Sequence, residues 1–259
     1  MKTSNPKQLS VRVSALSAVL MAGSLLAATA LAEELPDARV LIERHIEAIG
    51  GREMVLAQAD SLLLGTFAMP AAGVSGSLTV ASRASGDRVT RIELPGMGEI
   101  HSGYGPEVSW SIDPFMGPRL IEGDELTAMI ERSEPAAILR EDKFVLQART
   151  IERTEFAGQA CYRVELTWRS GRTTHDCYSV DSGLMIAMEA IETSPMGEVE
   201  SLTLLEEYQE IHGALVPTVT TVRVMGQDQV LTFEDFQLGP PDEAWFVMPP
   251  AIRTLLDDA

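Results

Sequence analysis

The sequence predicts a mainly β fold of the α+β class, a single large and strongly curved antiparallel sheet with helices packed against it. Three observations carry that expectation. From Ser61 onward, short runs bearing Val, Leu and Thr are punctuated by Gly, Pro and Asp at a spacing of roughly 8–12 residues, the rhythm of a sandwich or barrel. Many of these runs alternate, as in Tyr162, Val164, Leu166 and Trp168, or Leu184, Ile186 and Met188, so that one face is buried and the other wet. Helical patterns are confined to the start, the middle and the end.

The elements follow in order. Pro36 and Asp37 start a helix in which Val40, Leu41, Ile42, Ile46 and Ile49 fall mostly on one face, and Gly50-Gly51 stops it. A short helical turn over 52–58 is expected next. Strands are expected at Ser61–Met69, Val74–Ala84, Asp87–Leu94, Met97–Tyr104 and Glu107–Ile112. The prolines and glycine of 113–118 read as a loop. Asp124 caps a helix through Leu126, Met129 and Ile130, and 135–140 suits a second short helix. Strands resume at Val145–Phe156, Cys161–Trp168, Thr173–Val180, Leu184–Thr193, Val199–Ile211, Leu215–Val224 and Gln229–Leu238, and a helix over 250–256 closes the chain. A curved sheet covered by helices leaves room for a cavity between its concave face and those helices.

The N-terminus reads as an export signal. Lys2, Lys7 and Arg12 form a basic region, Val13 to Leu26 an apolar run, and Ala30-Leu31-Ala32 a small-residue cleavage site ahead of Glu33 and Glu34. The run is shorter than the roughly 20 residues that span a bilayer. Cleavage after Ala32 is expected to leave one mature domain, 33–259, in the periplasm. No Cys lies near the expected cut, so no permanent membrane anchor is expected. The whole chain carries a net charge of −18, and the signal holds only positive charges, so the mature part is more acidic still. Nucleic acid and anionic lipid surfaces would be repelled.

Catalytic motifs are sparse. Gly73-Val74-Ser75-Gly76 lacks the spacing of a nucleophile elbow, and Gly96-Met97-Gly98 lacks the third glycine and following helix of a dinucleotide site. No enzyme activity and no cofactor are expected. His45, between Glu43 and Glu47, reads as a solvated helix residue. In His175-Asp176-Cys177 the period of a strand puts His175 and Cys177 on one face and Asp176 on the other, which leaves too few ligands for a metal. Acidic pairs such as Glu206-Glu207 read as solvated surface. Cys161 and Cys177 flank a hairpin turn at Arg169–Arg172. With the turn centred on Arg169 they lie opposite each other, and both a disulfide and a pair of buried thiols fit an exported chain.

Methionine is the one positive signal. The chain has 12 Met against 5% aromatic residues, and unbranched thioethers let a pocket adapt to flexible guests. The candidate lining of such a cavity is Met116, Met129, Met185 and Met188 with Trp110.

The stretch from Leu41 to Gly51, ending Ala48-Ile49-Gly50-Gly51, resembles the opening of exported proteins related to the outer-membrane lipoprotein-sorting factors, the LolA/LolB-like family. Leu64-Gly65-Thr66 matches the strand glycine that follows in that family. Tyr104 to Trp110 matches its aromatic turn leading to a Trp, without the Asp-Gly step. The resemblance implies an open, strongly curved antiparallel half-barrel of about eleven strands with helices on its concave side. It also implies a distant member, and not the housekeeping carrier. The partner it implies is a lipid or lipoprotein acyl chain. The alternative is an envelope sensor or assembly module that acts through a protein partner.

Overall fold

The computed structural model describes residues 34–105, 108–133, 141–194 and 197–257. The export signal, its cleavage site and the short helix expected over 135–140 lie outside the described residues, as do Pro106 and Glu107 of the aromatic turn. Thirteen strands form one antiparallel sheet. They are β1 (Ser61–Met69), β2 (Val74–Ser82), β3 (Arg88–Leu94), β4 (Gly98–Tyr104), β5 (Trp110–Asp113), β6 (Gly117–Leu120), β7 (Val145–Phe156), β8 (Gln159–Trp168), β9 (Thr173–Ser179), β10 (Met185–Ser194), β11 (Gly197–Ile211), β12 (Ala214–Val224) and β13 (Gln227–Leu238). Their lateral order is β6-β5-β4-β3-β2-β1-β13-β12-β11-β10-β9-β8-β7. The sheet does not close on itself, and it is the open, curved half-barrel the sequence predicts, with thirteen strands where about eleven were expected. One addition is β6, which begins within the segment read as loop and pairs with β5 from Gly117 to Leu120. Pro118 is tolerated there because β6 is the last strand of the sheet and needs no ladder bond on its far side.

Helices α1 (Ala38–Ala48), α2 (Gly51–Ala57), α3 (Gly123–Ser133), α4 (Glu141–Phe144) and α5 (Pro250–Asp257) complete the chain. Asp37 caps α1 by accepting a hydrogen bond from the Arg39 N–H at 2.8 Å. Gly50, at φ 115°, turns the chain from α1 into α2, a conformation that glycine adopts without strain.

Antiparallel pairing sets which side chains share a face, because directly paired residues point to the same side. The chain of pairs Val164–Asp176–Met188–Thr203–Val222 crosses β8 to β12. The set Thr220–Leu231–Phe67 continues it to β1, and Leu78–Ile92–Ile100 carries it across β2 to β4. All of these lie on the concave face. Helix α1 packs there, with Leu41, Ile42 and Ile46 against Val164, Leu166 and Tyr178. Each such buried side chain contributes about 1.5–3 kcal/mol. Met54 of α2 packs with Ala214, Val216 and Phe236. Gly65 sits where the β1–β13 register shifts, and a Cβ there would lie 1.9 Å from the Thr232 carbonyl oxygen.

The C-terminal segment takes the other, convex face. Arg91 and His101 are paired there, one residue out of phase with Ile92 and Ile100. After Asp242, which caps a short 3-10 turn Glu243–Phe246 by accepting from the Ala244 N–H at 2.8 Å, Trp245 lies 5.6 Å from the Arg91 guanidinium. Phe246 lies 3.8 Å from that of Arg83. Ile252 of α5 is completely buried.

Candidate functional site

The concave face carries two apolar clusters. Under α1 the first is closed. The second, across β1 to β3, is built on buried Phe67, Leu78, Val80, Ile92 and Leu94. Around it Leu63, Met69, Val74, Ile100, Leu231 and Phe233 are only partly buried. Between the clusters, Met188, Leu205 and Val222 are also half-buried on the same face. A half-exposed apolar strip therefore runs over the floor of the half-barrel, from the edge of α1 toward β4.

Polar groups stand at the α1 end of that strip. Asp176 is buried; the Tyr178 hydroxyl donates to its Oδ2 at 3.2 Å, and Oδ1 has no partner. Burial pushes the carboxyl up to about 7, against the smaller opposing pull of the Tyr178 hydrogen bond. Beside it, the Trp168 indole N–H donates to the Thr174 hydroxyl at 3.0 Å.

His45 departs from expectation. It is buried, 5% exposed, and belongs to the stripe Ala38, Leu41, Ile42, His45, Ile46. The i+3/i+4 spacing carries the signal, which the flanking Glu43 and Glu47 obscure. Its Nδ1 accepts from the Met185 N–H at 3.2 Å, and desolvation lowers its pKa to about 4, partly offset by a hydrogen bond to the Gly183 backbone. The Met185 carbonyl in turn accepts from the Tyr208 hydroxyl at 2.7 Å. Arg44 donates to the Asp181 carbonyl at 2.8 Å. Histidine and arginine together fasten α1 to the β9–β10 turn.

The five cavity candidates fall in different places. Met185 packs beside the α1 cluster, and Met188 pairs with Asp176 on the same face. Met129 is half-buried on α3. Met116 is 57% exposed, in a turn where Asp113 Oδ1 accepts from the Phe115 and Met116 N–H groups at 2.7 and 3.1 Å. Trp110 is buried on the convex face, its ring 4.6 Å from that of His101 and nearly perpendicular to it. Gly103 makes that position possible, since a Cβ there would lie 2.7 Å from the indole. With Tyr104, Phe246 and Met248, Trp110 lines a cleft of about 380 Å³. His101 is held neutral, its pKa lowered to about 4 by burial and then by Arg91. Its Nδ1 lies 3.1 Å from Glu99 Oε1.

Cys161 and Cys177 form a disulfide with Cα atoms 5.6 Å apart. The register differs from the one expected. Arg163 pairs with Cys177 and Cys161 with Ser179, so the cysteines are diagonal neighbours and the turn is centred one residue later. His175 and Cys177 share the convex face, and Asp176 takes the concave one, as strand periodicity requires. His175 Nε2 lies 3.5 Å from Glu165, whose carboxyl is held below the usual range chiefly by its hydrogen bond from Arg149. Among the described residues no three His, Cys, Asp or Glu side chains are grouped to hold a metal ion. No helix among them is long and apolar enough to cross a membrane.

The half-barrel is similar to proteins of known structure. A LolA superfamily protein from Nitrosomonas europaea is 16% identical, over 83% of this chain and 99% of that one, with a TM-score of 0.54. A DUF1329 family protein from Desulfovibrio piger is 14% identical, over 82% of this chain and 98% of that one, with a TM-score of 0.51. The chain therefore has the fold of the LolA superfamily, as the sequence resemblance implies. No family model matches the sequence, and no curated protein matches it.

Proposed function

We propose that this chain is an exported carrier that binds acyl chains of lipids or lipoproteins and shields them in the periplasm, without catalysis. The observation that carries this reading is the half-exposed apolar strip on the concave face, with Ile100 at one end, Leu231 midway and Met188 at the other end. Each methylene buried there contributes about 0.8 kcal/mol, so a long chain supplies several kcal/mol after ordering costs. The LolA-type fold supports the reading without deciding the ligand. The test has two parts. The mature protein is purified from the periplasm, extracted with organic solvent and analysed by mass spectrometry. The delipidated protein is then titrated with a pyrene-labelled fatty acid. Copurifying lipid and saturable binding are expected, with binding at least tenfold weaker in Leu231→Glu and Ile100→Glu. Absence of lipid together with no saturable binding overturns the proposal.

A further inference from the structure

We infer that the convex face carries a second binding site, for a cationic, amphipathic polypeptide segment. The site goes beyond acyl-chain binding and does not depend on it.

The site is a trough across the ends of β9 to β12. One part, about 650 Å³, is lined by His175, Glu189, Ile191, Glu200, Arg223 and Met225, among others. A second part, about 550 Å³, is lined by Asp124 and Thr127 of α3 together with Arg172, Ile191 and Glu198. Thr173 and Ile191 line both, so the two parts adjoin. Three steps between β9 and β12 span about 14 Å, the reach of roughly four extended residues.

Two properties of the trough define its occupant. It carries two exposed apolar side chains: Ile191, 53% exposed, where the two parts adjoin, and Met225, 71% exposed, at the β12 end. Single exposed apolar residues are ordinary, but these two line one concavity. Its basic residues are already neutralised. Arg163 contacts Glu189 at 2.6 Å and Glu152 at 3.3 Å. Arg223 makes a two-pronged pair with Asp228 at 2.6 and 3.0 Å. Arg172 donates to the Ala128 carbonyl at 3.1 Å and lies 3.9 Å from Glu131. Asp124, Glu198 and Glu200 have no ion pair among the described residues. The trough thus offers uncompensated carboxylates beside exposed apolar side chains. A basic segment with interspersed apolar side chains complements it, whereas an anionic polymer, or a second copy of a chain with net charge −18, is repelled. The Cys161–Cys177 disulfide staples β8 to β9 on the same face, so the adjoining floor is pre-ordered.

The probe is a fluorescein-labelled octapeptide of alternating Lys and Leu, followed by anisotropy against the full mature chain, with a Glu/Leu octapeptide as counterpart. The Lys/Leu peptide is expected to bind saturably, more weakly as salt rises. Binding should fall at least tenfold in the triple variant Asp124→Asn, Glu198→Gln, Glu200→Gln, and also in Ile191→Ser with Met225→Ser. A variant of equal charge change placed elsewhere, Glu53→Gln, Glu155→Gln, Glu210→Gln, should stay within twofold of the parent. Equal weakening in that variant would show general attraction to an acidic protein and overturn the site. So would equal binding of the Glu/Leu peptide, or unchanged binding in the serine variant. Fatty-acid titration of the same variants should be unaltered, which separates failure here from failure of the carrier reading.

Discussion

Asp176 carries an unbalanced cost in the concave face, a buried carboxyl whose Oδ1 has no hydrogen-bond partner among the described residues. Its carboxyl titrates at about 7 in the fold and near 3.8 in an exposed chain. The folded protein therefore holds the extra proton between those values, and stability falls as pH rises from about 4 to 7. Asp176→Asn keeps the shape and removes the charge. It should be more stable than the parent at pH 8 by roughly 2–4 kcal/mol, with the difference gone by about pH 3.5, as read by urea unfolding at each pH. An advantage that persists at low pH would assign the effect to packing. His45 acts in the opposite sense: its folded pKa of about 4 lies below the exposed value of 6.5, so its contribution is lost as pH falls from about 6.5 to 4. The same two residues mark what the sequence conceals at this scale. Strand alternation assigns the face of Asp176 correctly. Whether a face is covered depends on which helix lies over it, and that is a long-range matter no local pattern records.

The elements were largely legible. Gly, Pro and Asp punctuation places the ends of β1, β7 and β9 to within a residue of the expected ones, because turns demand those residues for backbone reasons. Two features were not. β6 hides in a Pro- and Gly-bearing stretch, since an edge strand tolerates what a central strand rejects. The register of β8 on β9 is shifted because a hairpin centred on Ser170 and one centred on Arg169 preserve the same apolar alternation. The convex position of the C-terminal segment was equally hidden, although Trp245 and Phe246 are two of the chain's few aromatic residues. Their stacking on Arg91 and Arg83 covers the neighbourhood of Trp110. Replacing both, Trp245→Ala with Phe246→Ala, should release α5 and let water reach Trp110. The expected readout is a red shift of the remaining tryptophan emission, with a loss of about 2–4 kcal/mol of stability. An unshifted spectrum would mean that the β5–β6 hairpin shields the indole unaided.

For the molecule as a whole, the half-barrel separates two surfaces of different chemistry: an apolar concave floor and a charged convex wall. The disulfide cross-links β8 and β9, and it closes a loop with a sequence separation of 16. In the chain-entropy account such a loop is worth about 3 kcal/mol. Cys161→Ser with Cys177→Ser should therefore lower Tm by roughly 6–12 °C in a domain of this size. Calorimetry of the oxidised and reduced protein checks it, and the reduced parent should match the double variant. Equal Tm values for all three would show that the half-barrel's packing alone sets its stability.

An unclosed sheet also has an end strand that could template another chain. Of its two end strands, β6 is short and β7 long, and β7 has a ladder neighbour, β8, on one side only. Its pairing with β8 slips twice, between Val145 and Gln147 and between Thr150 and Glu152, and it carries Arg149, Glu152, Arg153 and Glu155. Irregularities and charges of this kind spoil the flat, uninterrupted row of backbone groups that cross-β growth requires. A sheet left open along this side thereby keeps its border from acting as a seed for fibres.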